Sequence, residues 1–227
     1  MQEVTLIQSG TSDYREMWEI QKQLHQSVVN NGNEQYLIIT EHKPVITIGK
    51  SGSKNNLLAN PDWLKKQDID VIENDRGGDI TFHGPGQIVG YPILNLAKFK
   101  KDIHWYLRAI EDVIIKSLGE LGLTAQRQEK LTGVWIENRK ICAIGVKTSR
   151  WVTMHGFALN VLTNLDYFKM IVPCGINDKG VTSISHELGN TIDQNQVINN
   201  LVSNFQDIFR VNLVPGDMHS ITRKIKE

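Results

Sequence analysis

From Ile103 to Leu121 the apolar residues Ile103, Tyr106, Leu107, Ile110, Val113, Ile114, Leu118 and Leu121 fall three or four apart, the period of a helix with one buried face, and Gly122 is its natural stop. Near-helical spacing also joins Tyr14, Met17, Trp18, Leu24, Val28 and Val29, after the helix-start pair Ser12-Asp13 and before Gly32. Val197, Ile198, Leu201, Val202, Phe205, Ile208 and Phe209 predict another helix. Short apolar, β-branched runs read as strands: Val4 to Gln8, Tyr36 to Thr40, Val45 to Ile48, Asp79 to Phe82, Ile88 to Leu94, Gly133 to Ile136, Ile141 to Val146 and Val152 to Val161. Glu41-His42-Lys43-Pro44 reads as a tight connection, which puts His42 on a surface turn, and Glu137-Asn138-Arg139 reads as a second turn. Pro61 to Lys66 is a turn or two of helix before Val71-Ile72, and the polar stretch from Gly49 to Asn60 reads as a mobile loop. Strands in groups with helices between them predict an α+β fold on a mixed, largely antiparallel sheet flanked by helices, as a single domain over residues 1–227. There is no internal repeat and no low-complexity segment.

Composition narrows the function by exclusion. Lys+Arg and Asp+Glu are both 25, so the formal charge is zero and the pI is near 7.1. That argues against nucleic acid or an anionic membrane surface as the main partner. The N-terminus has no apolar h-region and no apolar run approaches the length of a membrane span, so a cytoplasmic protein is expected. Two cysteines, Cys142 and Cys174, make neither a disulfide framework nor a structural zinc set, and no metal site is predicted.

The candidate chemistry begins at RGGDITFHGPGQ, Arg76 to Gln87. Gly77, Gly78, Gly84 and Gly86 let the backbone reach positive φ and approach a ligand closely, Pro85 stiffens the turn, and flanking strands hold the loop. Cys174, wedged between Pro173 and Gly175, is presented rather than packed, whereas Cys142 lies in the apolar run Ile141-Cys142-Ala143-Ile144 and reads as a small core hydrophobe. A nucleophilic cysteine needs a base or cation beside it, because a thiol with a pKa of about 8.5 is only slightly ionised at neutral pH. Lys140, Lys147, His83 and His155 are the candidates, and spacing does not choose among them.

Four motifs in order, RGGDITFHGPGQIVGYPIL (Arg76 to Leu94), RKICAIGVK (Arg139 to Lys147), HGFALNV (His155 to Val161) and PCGI (Pro173 to Ile176), resemble the octanoyl-[acyl carrier protein]:protein N-octanoyltransferases of lipoate biosynthesis. The likeness runs from Glu41 to Ile184. It implies a fold like the biotin and lipoate protein ligases, with a smaller second sheet. It also implies a thioester nucleophile at Cys174 and a catalytic lysine at Lys140, with Lys147 a surface or partner-facing charge. The implied substrate contacts are Arg76, Gly77, Gly78, Asp79, Ile80, Thr81, Phe82 and His83, then Ala143, Ile144 and Gly145, then Gly156, Phe157 and Ala158. No cofactor is implied. Two departures touch the acyl pocket: Ile46 stands where many relatives carry an aromatic residue, and Phe82 where tyrosine or tryptophan is common.

The implied partners are octanoyl-acyl carrier protein as donor, and as acceptors the lipoyl domains of 2-oxoacid dehydrogenase E2 subunits and the glycine cleavage H protein. These partners are typically acidic. Arg127, Lys130, Arg139, Lys140, Lys147 and Arg150, against Glu129 and Glu137, form a basic stretch expected to be a docking face. Two rival readings are an ATP-dependent lipoate or biotin ligase of the same fold, which needs no cysteine nucleophile, and a non-catalytic lipoyl-domain binding module, which has no use for Lys140 with Cys174.

Overall fold

The computed structural model describes residues 1–32, 34–172, 179–218, 221 and 223. In chain order the elements are β1 (Gln2–Ser12), α1 (Tyr14–Asn31), β2 (Tyr36–His42), β3 (Val45–Ile48), α2 (Pro61–Lys66), β4 (Asp70–Glu73), β5 (Ile80–His83), β6 (Gln87–Ile93), α3 (Ile103–Gly119), β7 (Gln126–Gln128), β8 (Leu131–Ile136), β9 (Arg139–Ser149), β10 (Val152–Asn160), β11 (Gly180–Val181), α4 (Ile184–Leu188), α5 (Gln194–Phe209) and β12 (Val211–Gly216). Nine strands form a mixed sheet in the order β12-β1-β2-β6-β10-β9-β8-β7, with β11 added in parallel to β9. The β2, β6, β10, β9 and β8 neighbours are antiparallel, and β1 is parallel to both its neighbours. A second sheet, β4-β3-β5, has three strands.

Helix ends follow local chemistry. The Asp13 carboxylate accepts from the backbone N–H groups of Arg15 (2.8 Å) and Glu16 (3.1 Å) to start α1, and Gly32 closes it at φ 65°. Asp102 caps α3 through the N–H of Trp105 at 3.0 Å. The apolar stripe of α3 (Tyr106, Ile110, Val113, Ile114, Leu118) packs with Leu201, Phe205 and Phe209 of α5 on one face of the large sheet. On the other face α1 buries Met17, Leu24 and Val28 against Ile38, Val89, Tyr91 and Ile93. The small sheet has its own core, Ile46, Ile48, Leu64, Ile80 and Phe82 with Met170 and Ile171. Strands β6 and β10 are buried along their whole length, as central strands covered on both faces must be.

Two expectations fail, and some short strands were missed. His42 is no surface turn residue: β2 runs on through it, the ring is fully buried, and Nε2 pairs with the Tyr91 hydroxyl at 2.6 Å. The stretch after Gly49 is pinned rather than loose, because the Asp79 carboxylate accepts from the Ser53 N–H (3.3 Å) and the Asn56 amide (2.7 Å). The short strands β7 and β12 were not predicted. One is Gln-Arg-Gln, and the other is an edge strand carrying Pro215, tolerated there because an edge need not donate on both sides.

Candidate active site

A cavity of about 240 Å³ opens between the large sheet, the start of α1 and the small sheet. Its walls include Arg76, Gly78, Asp79, Ile80, Thr81 and His83, the β9 residues Lys140, Ala143, Ile144 and Gly145, and Gly156, Phe157 and Ala158 of β10. Register explains why three distant segments meet: Gly156 stands opposite Gly145 and Ala158 opposite Ala143 across β9 and β10. The Arg76 loop is laid on β9 by the Gly77 N–H, which donates to Val146 O at 2.9 Å. This seating requires Gly145, since a Cβ there would lie 2.6 Å from Gly77 O.

Two residues expected at the substrate stand elsewhere. Gly77 contributes its backbone to the β9 contact and is not part of the wall. Phe82 is fully buried in the second core, stacked on Tyr167 at 4.5 Å. Its strand partner is Ile46, so both departures from the family pattern fall in that core and not on the cavity rim. The Gly84-Pro85-Gly86 turn also serves a different purpose than ligand approach. Gly86, at φ 80°, lies so near the chain at 162–163 that a Cβ would meet Leu162 C at 2.6 Å, and its N–H donates to Glu41 Oε2 at 3.1 Å. The turn is a buttress for the end of β10.

Arg76 is buried and donates to Thr47 O (2.8 Å), Thr47 Oγ1 (3.0 Å), Asp79 O (2.7 Å) and Gly77 O (3.1 Å), so its guanidinium shapes the loop that carries it. Beside it, Asp75 bridges His155 Nε2 (2.8 Å) and Lys147 Nζ (2.5 Å). The His155 N–H and the Lys147 ammonium hold the Asp75 carboxyl well below the usual carboxylate range. Burial pushes the His155 pKa down, with Asp75 opposing, so the ring is a neutral donor to a charged carboxylate. Lys147 is therefore a half-buried ion-pair partner of Asp75. Other members of the expected basic face are engaged too: Arg127 with Glu111 (2.8 Å) and Asp112 (2.6 Å), and Arg139 with Glu187 and Glu137, both at 3.1 Å.

Lys140 lines the cavity, and its Nζ lies 4.8 Å from the centre of the Trp135 ring, a strand partner across β8 and β9. Val181 of β11, paired with Lys140, and Phe168 line the same cavity. Cys174 lies outside the described residues. Cys142 is fully buried, and desolvation pushes its thiol far above the ordinary range, which leaves it unreactive. Among the described residues no group of three or more His, Cys, Asp or Glu side chains is placed to hold a metal, and no helix is long and apolar enough to cross a membrane. Sequence reasoning missed Tyr14, Asp75, Tyr91 and Asn160 at this site and gave Gln87 no role. For Gln87 and Asn160 a signal existed: each is an amide at the end of an otherwise apolar strand run.

The family model of the lipoyl protein ligase A/B catalytic domain matches residues 13–206. An octanoyltransferase of Clostridium kluyveri is 49% identical, over 88% of this chain and 86% of its own length. One from Flavobacterium johnsoniae is 47% identical, over 90% and 96%. Among solved structures, a lipoate-protein ligase A bound with ATP superimposes with a TM-score of 0.82 at 17% identity, covering 98% of this chain and 94% of that one. The biotin protein ligase of Aquifex aeolicus in complex with biotin and ATP gives a TM-score of 0.56 at 13% identity, over 91% and 70%. The two ligases share the fold, two packed sheets with helices on the larger. The sequence relatives go further: the chain belongs to the lipoyl protein ligase A/B catalytic-domain family, among its octanoyltransferases.

Proposed function

We propose that this acyltransferase moves an octanoyl group from octanoyl-acyl carrier protein to the ε-amine of a lysine on a lipoyl domain, through a thioester on Cys174. The observation that carries the reading is the convergence of Lys140 with the Arg76 loop, Ala143 to Gly145 and Gly156 to Ala158 on one cavity. The octanoyltransferase relatives support the acyl group named. In the first half-reaction the Cys174 thiolate attacks the donor thioester carbon, a new C–S bond forms, the old one breaks, and the carrier leaves as a thiol after taking a proton. Donor and product are both thioesters, so the exchange is near-balanced and needs no ATP. In the second, the lysine amine attacks, a C–N bond forms, the C–S bond breaks, and the amine proton returns to the sulfur.

Lys140 favours the thiolate first and handles the proton afterwards. A unit charge at about 4 Å and an effective dielectric of about 20 contributes about 4 kcal/mol, enough to lower a thiol pKa by about three units. Burying an eight-carbon chain at about 0.8 kcal/mol per methylene contributes about 5 kcal/mol of binding. The apolar side of the cavity, Ile80, Val89, Ala143, Ile144, Phe157 and Ala158, suits that chain. Incubation with octanoyl-acyl carrier protein in the absence of ATP is expected to add one octanoyl mass to the chain. The adduct should disappear in Cys174→Ser and persist in Cys142→Ala, and the full reaction should give parallel double-reciprocal lines. An adduct that requires ATP, or that maps to Cys142, overturns the proposal.

A further inference from the structure

A single chain of buried hydrogen bonds runs from the glycine-rich loop to the backbone of Lys140. Arg76 Nη2 donates to Thr47 Oγ1 (3.0 Å), which lies 3.3 Å from His83 Nε2, while His83 Nδ1 lies 2.8 Å from Gln87 Oε1. Gln87 Nε2 donates to Asn160 Oδ1 (2.9 Å), Asn160 Nδ2 to Thr182 O (3.0 Å), and the Thr182 N–H to Lys140 O (3.0 Å). Gln87 and Asn160 are direct strand partners across β6 and β10, so their amides meet by register. The route crosses from the small sheet into the large one and ends at the joint of β11 with β9.

The direction of this chain is forced at both ends. Thr182 O can only accept, so Asn160 presents its NH₂ there and its oxygen to Gln87, and Gln87 must give its NH₂ to that oxygen and keep its own oxygen for His83. Arg76 can only donate, so the Thr47 hydroxyl accepts from it and passes its own hydrogen to His83. His83 is then a donor at Nδ1 and an acceptor at Nε2, with neither nitrogen left for substrate. Burial, which disfavours the charged ring, acts in the same sense.

We propose that Gln87 and Asn160 are positioning residues for Lys140, and that the chain they close holds His83 as a neutral Nδ1–H imidazole whose part is to transmit position rather than protons. The proposal rests on the reading of Lys140 as the catalytic lysine. In the full-length protein with ¹⁵N-labelled histidine, the His83 signals, assigned by their loss in His83→Gln, should show a pyrrole-type Nδ1 and a pyridine-type Nε2 at neutral pH. An Nε2–H tautomer or a charged ring overturns the proposal whatever the enzyme's activity.

Gln87→Glu keeps the acceptor for His83 and removes the N–H given to Asn160, and Asn160→Leu removes both of its links at similar volume. Each is expected to lower kcat by about tenfold to a hundredfold, as loss of supporting contacts commonly does, with little change in KM for octanoyl-acyl carrier protein. Gln87→Glu should also pull His83 toward a charged ring, because it sets a carboxylate 2.8 Å from Nδ1, whereas in Asn160→Leu the donation of Gln87 Nε2 to Phe82 O (3.1 Å) keeps the Gln87 oxygen on His83 and the tautomer unchanged. Wild-type kcat in folded Gln87→Glu, or a loss confined to KM, overturns the proposal, and this variant decides if Asn160→Leu does not fold. Full activity of Lys140→Met would instead remove the catalytic reading and leave the tautomer result standing.

Discussion

On the face of the large sheet covered by α3 and α5 the packing is almost wholly apolar, and its one deeply buried charge among the described residues, Glu111, is enclosed by Arg108 (2.6 Å), Arg127 (2.8 Å) and the Gly133 N–H (3.1 Å). On the opposite face α1 and the small sheet bury Arg76, His83 and His155 around a cavity, with His42 against Tyr14 and His83. The first arrangement satisfies a charge and closes the space around it. The second holds Arg76, His42 and His83 through amides, hydroxyls and carbonyls and His155 through the Asp75 carboxylate, leaves His155 Nδ1 without a hydrogen-bond partner, and keeps room for an acyl chain. Buried polar networks add little net stability but fix one arrangement of groups, which is what a reaction site requires. Stability and chemistry are thus divided between the two faces of one sheet.

The sharpest way to break that division is Lys140→Met. If the cavity face serves reaction, transfer should fall by about a hundredfold to ten-thousandfold, the range for losing a proton-handling group, while the urea midpoint stays put. Leu118→Ala probes the other face: Leu118 is fully buried in the α3–α5 core, and its truncation should cost about 2–5 kcal/mol in urea unfolding with the rate per folded molecule unchanged. A Leu118→Ala protein that is stable but slow would mean the two faces are coupled.

The smallest effect is in acid. Burial lowers the pKa of His42 from 6.5 to about 4. The unfolded chain therefore binds a proton below pH 6.5 that the folded chain refuses until pH 4, so stability is lost as pH falls through that window. Between pH 7.5 and 5.5 this one ring accounts for about 1.4 kcal/mol. His83 and His155 are shifted in the same direction. Unfolding curves at the two pH values should show a smaller loss in His42→Asn than in wild type by about that 1.4 kcal/mol. An unchanged difference would mean that the ring is already charged in the folded state.

Local signals in the sequence determined a good deal of this protein. The 3.6-residue period placed α1, α3 and α5, and the caps at Asp13 and Gly32 are visible without a structure because capping is a matter of neighbouring residues. The motifs from Arg76 to Gln87, Arg139 to Lys147 and His155 to Val161 pointed to the segments that line the cavity, because runs of backbone glycine and charge within strands are rare without cause.

Register and enclosure were decided only by tertiary structure. His42 looks like a turn residue beside Lys43-Pro44 and becomes a core group because α1 and Tyr91 close over β2. Lys147 and the basic run around it look like a docking face, yet Lys147, Arg127 and Arg139 are ion-paired with Asp75, Glu111 and Glu187, partners far away in the chain. The amides of Gln87 and Asn160 become a pair only when β6 and β10 align. Whether a polar side chain faces water, an opposite charge or a cavity depends on residues dozens of positions away, and no local pattern encodes that distance.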